Sequence, residues 1–147
     1  MVSAMDKSED TDSSVLIGRI ACVSRLLDHQ LWQAAIGLSL DKSSASGRRF
    51  ARLVEDGALL EAAVLLVGLC GPSRSIASIA MSGGNWVCVI GEQPANGDAT
   101  TRIHQAEHID LAAAVLVALL SSRPQMRCSP HDAFRRKMQG DFHHHDI

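Results

Sequence analysis

The sequence predicts an α+β fold, a small antiparallel sheet of about three strands packed by several α-helices. Three observations carry this expectation. Residues 85–91 alternate, with Trp86, Cys88 and Ile90 on one side and Val87 and Val89 on the other. Gly83 and Gly84 precede them, and glycine accepts the positive φ that a tight hairpin turn requires. Residues 111–120 (Leu-Ala-Ala-Ala-Val-Leu-Val-Ala-Leu-Leu) are the most apolar run of the chain. A helix of that kind and a half-apolar sheet each leave apolar surface in water until they pack together.

The elements follow in order. Residues 1–13 are rich in Ser, Asp, Glu and Lys and bury too little apolar area to offset ordering, so a polar tail is expected there. Ser13 or Ser14 is placed to cap a first helix over 15–28, whose apolar stripe is Val15, Leu16, Ile20, Val23, Leu26 and Leu27. Asp28 ends that helix or caps the next. Leu31, Trp32, Ala35, Ile36 and Leu38 form a second short apolar face, weakened at its end by Gly37. Residues 41–47 are Ser-rich and aperiodic, a loop. Arg48, Arg49 and Arg52 then interleave with Phe50 and Leu53 on the start of a helix, interrupted at Asp56 or Gly57.

Residues 58–69 are apolar apart from Glu61, the composition of a helix buried in a core or an interface. Cys70-Gly71-Pro72 stops it: Gly71 suits a left-handed C-terminal position and proline cannot continue the ladder. Strands are expected over 73–81, 85–91 and 99–105. The middle one is apolar on both sides, which suggests a central strand covered on both faces. Thr100, Arg102 and His104 give the third a polar side, which suits an edge. Pro94, Asn96, Gly97 and Asp98 form its entry. Asp110 caps the last helix, and Ser121 to Pro124 end it. Beyond Pro124 the pattern decays into a polar extension, in which Phe134 and Met138 share one face of a short helix. The expected division is therefore a tail over 1–13, one α+β domain over 14–124 and an extension over 125–147.

Composition narrows the function classes. The chain of 147 residues suits one domain with a sizeable core. It has two Trp, three Phe and no Tyr, so stacking platforms for single-stranded nucleic acid are not expected. A formal net charge of −2 gives no general attraction to phosphate backbones. No apolar run reaches the roughly 18 residues of a membrane span, and no basic leader joined to an apolar stretch is read at the N-terminus. Cys22, Cys70, Cys88 and Cys128 are widely spaced in an apolar chain, the pattern of reduced thiols rather than a disulfide scaffold. The expected location is the cytoplasm.

Chemistry-bearing constellations are weak. Gly83-Gly84 lacks the Lys and hydroxyl of a phosphate loop and joins two strands. Cys88 and His104 fall on neighbouring strands, as a thiol nucleophile and base would, yet Cys88 shares its face with Trp86 and Ile90. Glu92, Asp98, Glu107 and Asp110 have no spacing that sets two carboxylates across a substrate. His104 and His108 flank Glu107 near a helix start, where surface or capping roles are expected. Cys128 and His131 make half of a metal motif, to which His143, His144 and His145 could add. Four ligands in fixed geometry are not evident, so neither a metal nor a cofactor is expected.

One likeness to a known family rests on the strand at 76–81, the glycine turn, Trp86, the polar strand 99–105 and the Ala-rich helix with Leu111, Ala112, Ala113, Ala114, Ala118 and Leu119. This pattern resembles the phage ABA-sandwich family, small and mostly uncharacterised proteins of phages and prophages. The resemblance covers less than half of the chain. It implies no reaction and carries no catalytic residue across.

The function expected is a non-enzymatic accessory or protein-interaction domain. The alternatives are a small-ligand-binding regulatory domain using Arg102 and His104, or a Cys/His-dependent enzyme. Interaction candidates are Trp32 as an apolar anchor, Arg48, Arg49 and Arg52 as a basic strip, Arg102 and His104 on the polar strand, and Leu59 and Leu66, which at i and i+7 share one helix face. The two apolar helices exceed what one small sheet covers, so a homodimer is expected, with a protein partner as the further option and no role for nucleic acid or membrane. Untagged protein purified without a metal column is expected to carry less than about one tightly held metal equivalent. A full equivalent that disappears in Cys128→Ser with His131→Ala would overturn this.

Overall fold

The computed structural model describes residues 13–71, 73–93 and 101–122. The expected tail over 1–13 apart from Ser13, the helix stop at Pro72, the connection over 94–98 with the first positions of the third strand, the helix end at Arg123 and Pro124, and the C-terminal extension with Cys128, His131, Phe134, Met138 and His143 to His145 lie outside the described residues. Within them the fold is α+β, as expected, with five helices and one three-stranded antiparallel sheet.

Helix α1 covers 13–21, so Ser13 and Ser14 are inside it rather than capping it. Leu16 and Ile20, four residues apart, are its buried stripe. The helix stops well before Asp28, first in tight local turns and then with a long-range contact. The N–H groups of Cys22 and Val23 close back three residues onto Arg19 and Ile20, and that of Leu26 donates to the Asp110 carboxylate at 2.7 Å. Helix α2 is Asp28–Gly37. Asp28 sits in its first turn, where a negative charge complements the helix dipole, and the buried Gln30 carboxamide reaches back to accept the Leu27 N–H at 3.0 Å. Leu31, Ala34 and Ala35 face the core; Ile36, expected on that face, points to water.

Helix α3 is Ala45–Glu55 and begins inside the segment expected to be a loop. Ser44 is its cap, accepting the Gly47 N–H at 3.0 Å while donating to the Asp41 carbonyl at 2.6 Å. The Ser-rich stretch is thus a helix start. Glycine is needed at 47, since a Cβ there would lie 2.0 Å from the Asp41 carbonyl oxygen. At the other end Gly57 adopts φ +75°. Gly57 N–H bonds Val54 O and Ala58 N–H bonds Leu53 O, the Schellman arrangement that satisfies final carbonyls.

Helix α4 is Leu59–Leu69 and buries Ala62, Ala63, Leu66 and Val67. It is not covered all round, because Leu60 and Val64 remain exposed. Gly71 does not take the left-handed conformation expected of it. The requirement there is room, since an added Cβ would meet Gly68 O at 3.1 Å.

Strands β1 (Arg74–Ser82), β2 (Asn85–Glu92) and β3 (Arg102–His108) form the sheet in that order. Gly83 and Gly84 both have positive φ, as a two-residue hairpin turn demands. The ladder shifts between Ile76 and Ser78, a bulge at Ala77. β3 is Arg102–His108, so Glu107 and His108 are strand residues, while positions 99 and 100 of the expected strand lie outside the described residues. One face carries Ile79, Met81, Trp86, Cys88, Ile90, Ala106 and His108 and meets the helices. The other carries Val87 and Val89, only half-buried, among exposed neighbours such as Ser78, Ala80, Gln105 and Glu107. β2 is central, but the expected cover on both faces is not there among the described residues; valines on that face read the same whether half or fully buried.

Helix α5, Leu111–Ser121, lies over β2 and β3, and α4 packs beside it and over β1. α2 touches both helices, and α3 packs on α4. Trp32 of α2 meets Phe50 of α3 edge-on, with ring centroids 4.9 Å apart. Two glycine substitutions separate crowding from dihedral strain. Gly57→Ala is expected to cost about 1 kcal/mol, the penalty of a left-handed alanine, and Gly47→Ala distinctly more. Urea unfolding measures both, and equal losses would show that the Asp41 carbonyl yields without cost.

Candidate functional site

Polar side chains converge at one end of the helix-facing side of the sheet. The bulge at Ala77 sets Arg74 opposite Glu92, and the regular β2–β3 ladder sets Glu92 opposite Arg102. Arg74 Nη2 lies 3.4 Å from Glu92 Oε1, and His104 Nε2 donates to the same oxygen at 2.9 Å. Arg74 also binds the helix ends. Its Nη2 donates to Ser122 O at 2.7 Å and its Nε to Ser122 Oγ at 3.3 Å, at the C-terminus of α5 where a positive charge is favoured. Its Nη1 reaches Ser73 Oγ at 3.3 Å, and that hydroxyl donates to Cys70 O at the end of α4. One guanidinium therefore ties both core helices to the sheet.

The His104 hydrogen bond, aided by the charges of Arg74, His104 and Arg102, holds the Glu92 carboxyl below its ordinary value, against the opposing effect of burial. Nearby thiols move the other way. Burial pushes Cys70 up to about 11 despite Arg74, and burial alone raises Cys88. Both are neutral thiols at neutral pH, the poorly nucleophilic form. Cys88 pairs with Ala106, is fully buried, and His104 turns to Glu92 rather than to it.

A second polar group lies at the opposite end of β3. His108, expected at the surface or as a cap, is buried, with Nε2 3.0 Å from Ile20 O and Nδ1 accepting the Asp110 N–H at 2.9 Å. Accepting at Nδ1 sets the tautomer with hydrogen on Nε2, which donates to Ile20. Asp110 occupies the cap position of α5, but its carboxylate serves Leu26 instead of its own helix. His108 and Asp110 thus join α1, β3 and α5.

The sequence candidates fall in several places. Leu66 is 0% exposed and belongs to the core, so it offers nothing to a partner, while Leu59 is partly buried against the same core. Their shared i, i+7 face is turned toward the core of the chain rather than to a partner. Trp32 is partly buried, packed on Phe50 with Lys42 Nζ 5.3 Å from the ring. Arg48, Arg49 and Arg52 are exposed on α3, and no ion pair joins them to Glu55 or Asp56 among the described residues. Arg102 is exposed and His104 engaged with Glu92. The cluster brings Arg102 and His104 together but not the Arg48 strip or Trp32. Arg74 is not marked by the sequence, and His108 is marked there only for a surface or capping role. Arg74 gives no signal without the bulge, and His108 only if β3 extends past 105. Among the described residues no group of three or more His, Cys, Asp or Glu is placed to hold a metal ion.

No protein-family model, curated protein or solved structure matches the chain, and the resemblance to the phage ABA-sandwich family gains no support from them.

The Glu92 shift sets a pH dependence. Its folded value lies below the unfolded one, so its stabilisation is present above the ordinary value of 4.5 and fades as pH falls below it. Glu92→Gln is expected to flatten that part of the acid limb in a stability–pH profile. An unchanged slope would show that the Arg74–Glu92–His104 group does not contribute.

Proposed function

We propose that the chain is a protein-interaction domain without chemistry of its own, that residues 14–124 are the interacting unit, and that it works as a homodimer. One observation carries this reading. On the helix-facing side of outer strand β1, Ile79 is 41% and Met81 58% exposed, although the matching positions of β2 are buried or half-buried. Apolar side chains next to a helix layer, yet left in water, favour association. α4 runs back over β1 after a short turn, and its uncovered side carries Leu60 and Val64. The competing readings have less support. Arg74, Glu92 and His104 are engaged with one another and with helix ends, and a Cys88 nucleophile would be a neutral, buried thiol.

A cytoplasmic setting accords with the described cysteines, all free, with Cys22 exposed, as a reducing compartment allows. No described helix is long and apolar enough to cross a membrane. A protein partner other than a second copy would use the same apolar end of β1. Light scattering between micromolar and near-millimolar protein is expected to give twice the chain mass of 15.8 kDa. Met81→Lys is expected to weaken association at least about tenfold, or about 1.4 kcal/mol, with an unchanged circular dichroism spectrum because the side chain is exposed. Mass that stays monomeric over that range would rule the dimer out.

A further inference from the structure

We infer that the free edge of β1 pairs antiparallel with the β1 edge of a second copy about a two-fold axis beside Ala80, joining two three-stranded sheets into one of six strands. The inference rests on the homodimer reading and adds its geometry. Both outer strands, β1 and β3, leave a row of backbone donors and acceptors without a strand partner among the described residues, and such an edge is a template for another strand. The two edges differ in charge. β3 carries Arg102, Glu107 and two histidines, the kind of side chains that discourage edge pairing. β1 carries no charge from Ser75 to Ser82 and no proline, so a copy of itself meets it without like-charge opposition.

The bulge and the turn limit the ladder. Ala77 breaks the register on one side and Gly83 on the other, which leaves five regular residues, Ser78 to Ser82. Directly opposed residues in an antiparallel pair share a face. An axis at Ala80 sets Ala80 against Ala80, Ser78 against Ser82, and Ile79 against Met81. The exposed Ile79 and Met81 of each copy then meet on the helix side, where both had been left in water. The opposite face of the joint is small and polar, from Ser78, Ala80 and Ser82. α5 lies on β2 and β3, while α4 is the helix in contact with β1, so the joint forms at the strand with the least helix cover.

Opposed Cα atoms in an antiparallel pair lie about 4.5–5.5 Å apart, inside the range a disulfide spans. Ala80 is exposed, so its replacement leaves the fold intact. The experiment uses the full chain with Cys22→Ser and Cys128→Ser, adding Ala80→Cys in one sample and Gln105→Cys, on the same face of β3, in another. Mild oxidation is expected to give a disulfide-linked dimer with Ala80→Cys and none with Gln105→Cys, read on a non-reducing gel. Ala80→Lys is expected to weaken association at least about tenfold by light scattering, because like charges directly opposite destabilise a strand pair. A scattering dimer without the Ala80→Cys cross-link, or one linked through Gln105→Cys, overturns the β1 joint and leaves the homodimer standing. Monomer at every concentration overturns both.

Discussion

Helix α5 has no charged side chain, and the rest of the molecule is arranged to keep it from water. Val115, Leu116, Leu119 and Leu120 are buried, as are the alanines at 112, 113, 114 and 118. Each large side chain contributes about 1.5–3 kcal/mol when withdrawn from water, but only if it is covered on its own side of the helix. No single neighbour can do that. The sheet covers one side through β2 and β3, α4 lies alongside, and α2 closes on another. The alanines let those neighbours approach closely. The order of helices and strands is a solution to that coverage.

Surrounding an apolar helix buries its ends, and helix ends carry unpaired N–H and C=O groups. Burying a polar group without a partner costs roughly 2–7 kcal/mol, as much as a large apolar side chain provides. The polar residues of the interior meet this demand. Arg74 and the Ser122 hydroxyl serve the C-terminal end of α5. Asp110 and His108 serve the chain at its start and reach Leu26 and Ile20. No buried side-chain nitrogen or oxygen is without a partner among the described residues. Groups that resemble catalytic ones in type, a histidine beside a carboxylate and a thiol near an arginine, hold helix ends and strands together.

The cover is uneven, and the unevenness shapes the surface. α5 sits squarely on the two later strands, while α4 reaches β1 with its apolar face already engaged by α5. β1 is therefore the strand with least above it, and its apolar residues after the bulge face solvent. Its other side is serine and alanine, too small and polar to attract a further layer.

Much of this was legible along the chain. Hairpin, central strand and the two apolar helices followed from alternation, paired glycines and runs without charge, all local properties. The Schellman end at Gly57 was legible as a breaker. Local pattern could not show where tertiary contacts overrule it. α1 stops early, and beyond it Asp110, far along the sequence, claims the Leu26 N–H. The bulge at Ala77 is the clearest case. Counted from the Gly83-Gly84 turn without it, Ser75 would face Glu92 and Arg74 would point to the open side. One extra residue reverses the face of everything before it and brings Arg74 to Glu92 and to the end of α5. Sequence by itself determined which segments are apolar enough to need cover and where the chain can turn. Tertiary structure alone decided which polar residues meet and which apolar ones stay in water, because register and coverage belong to the packed whole and leave no mark in local composition.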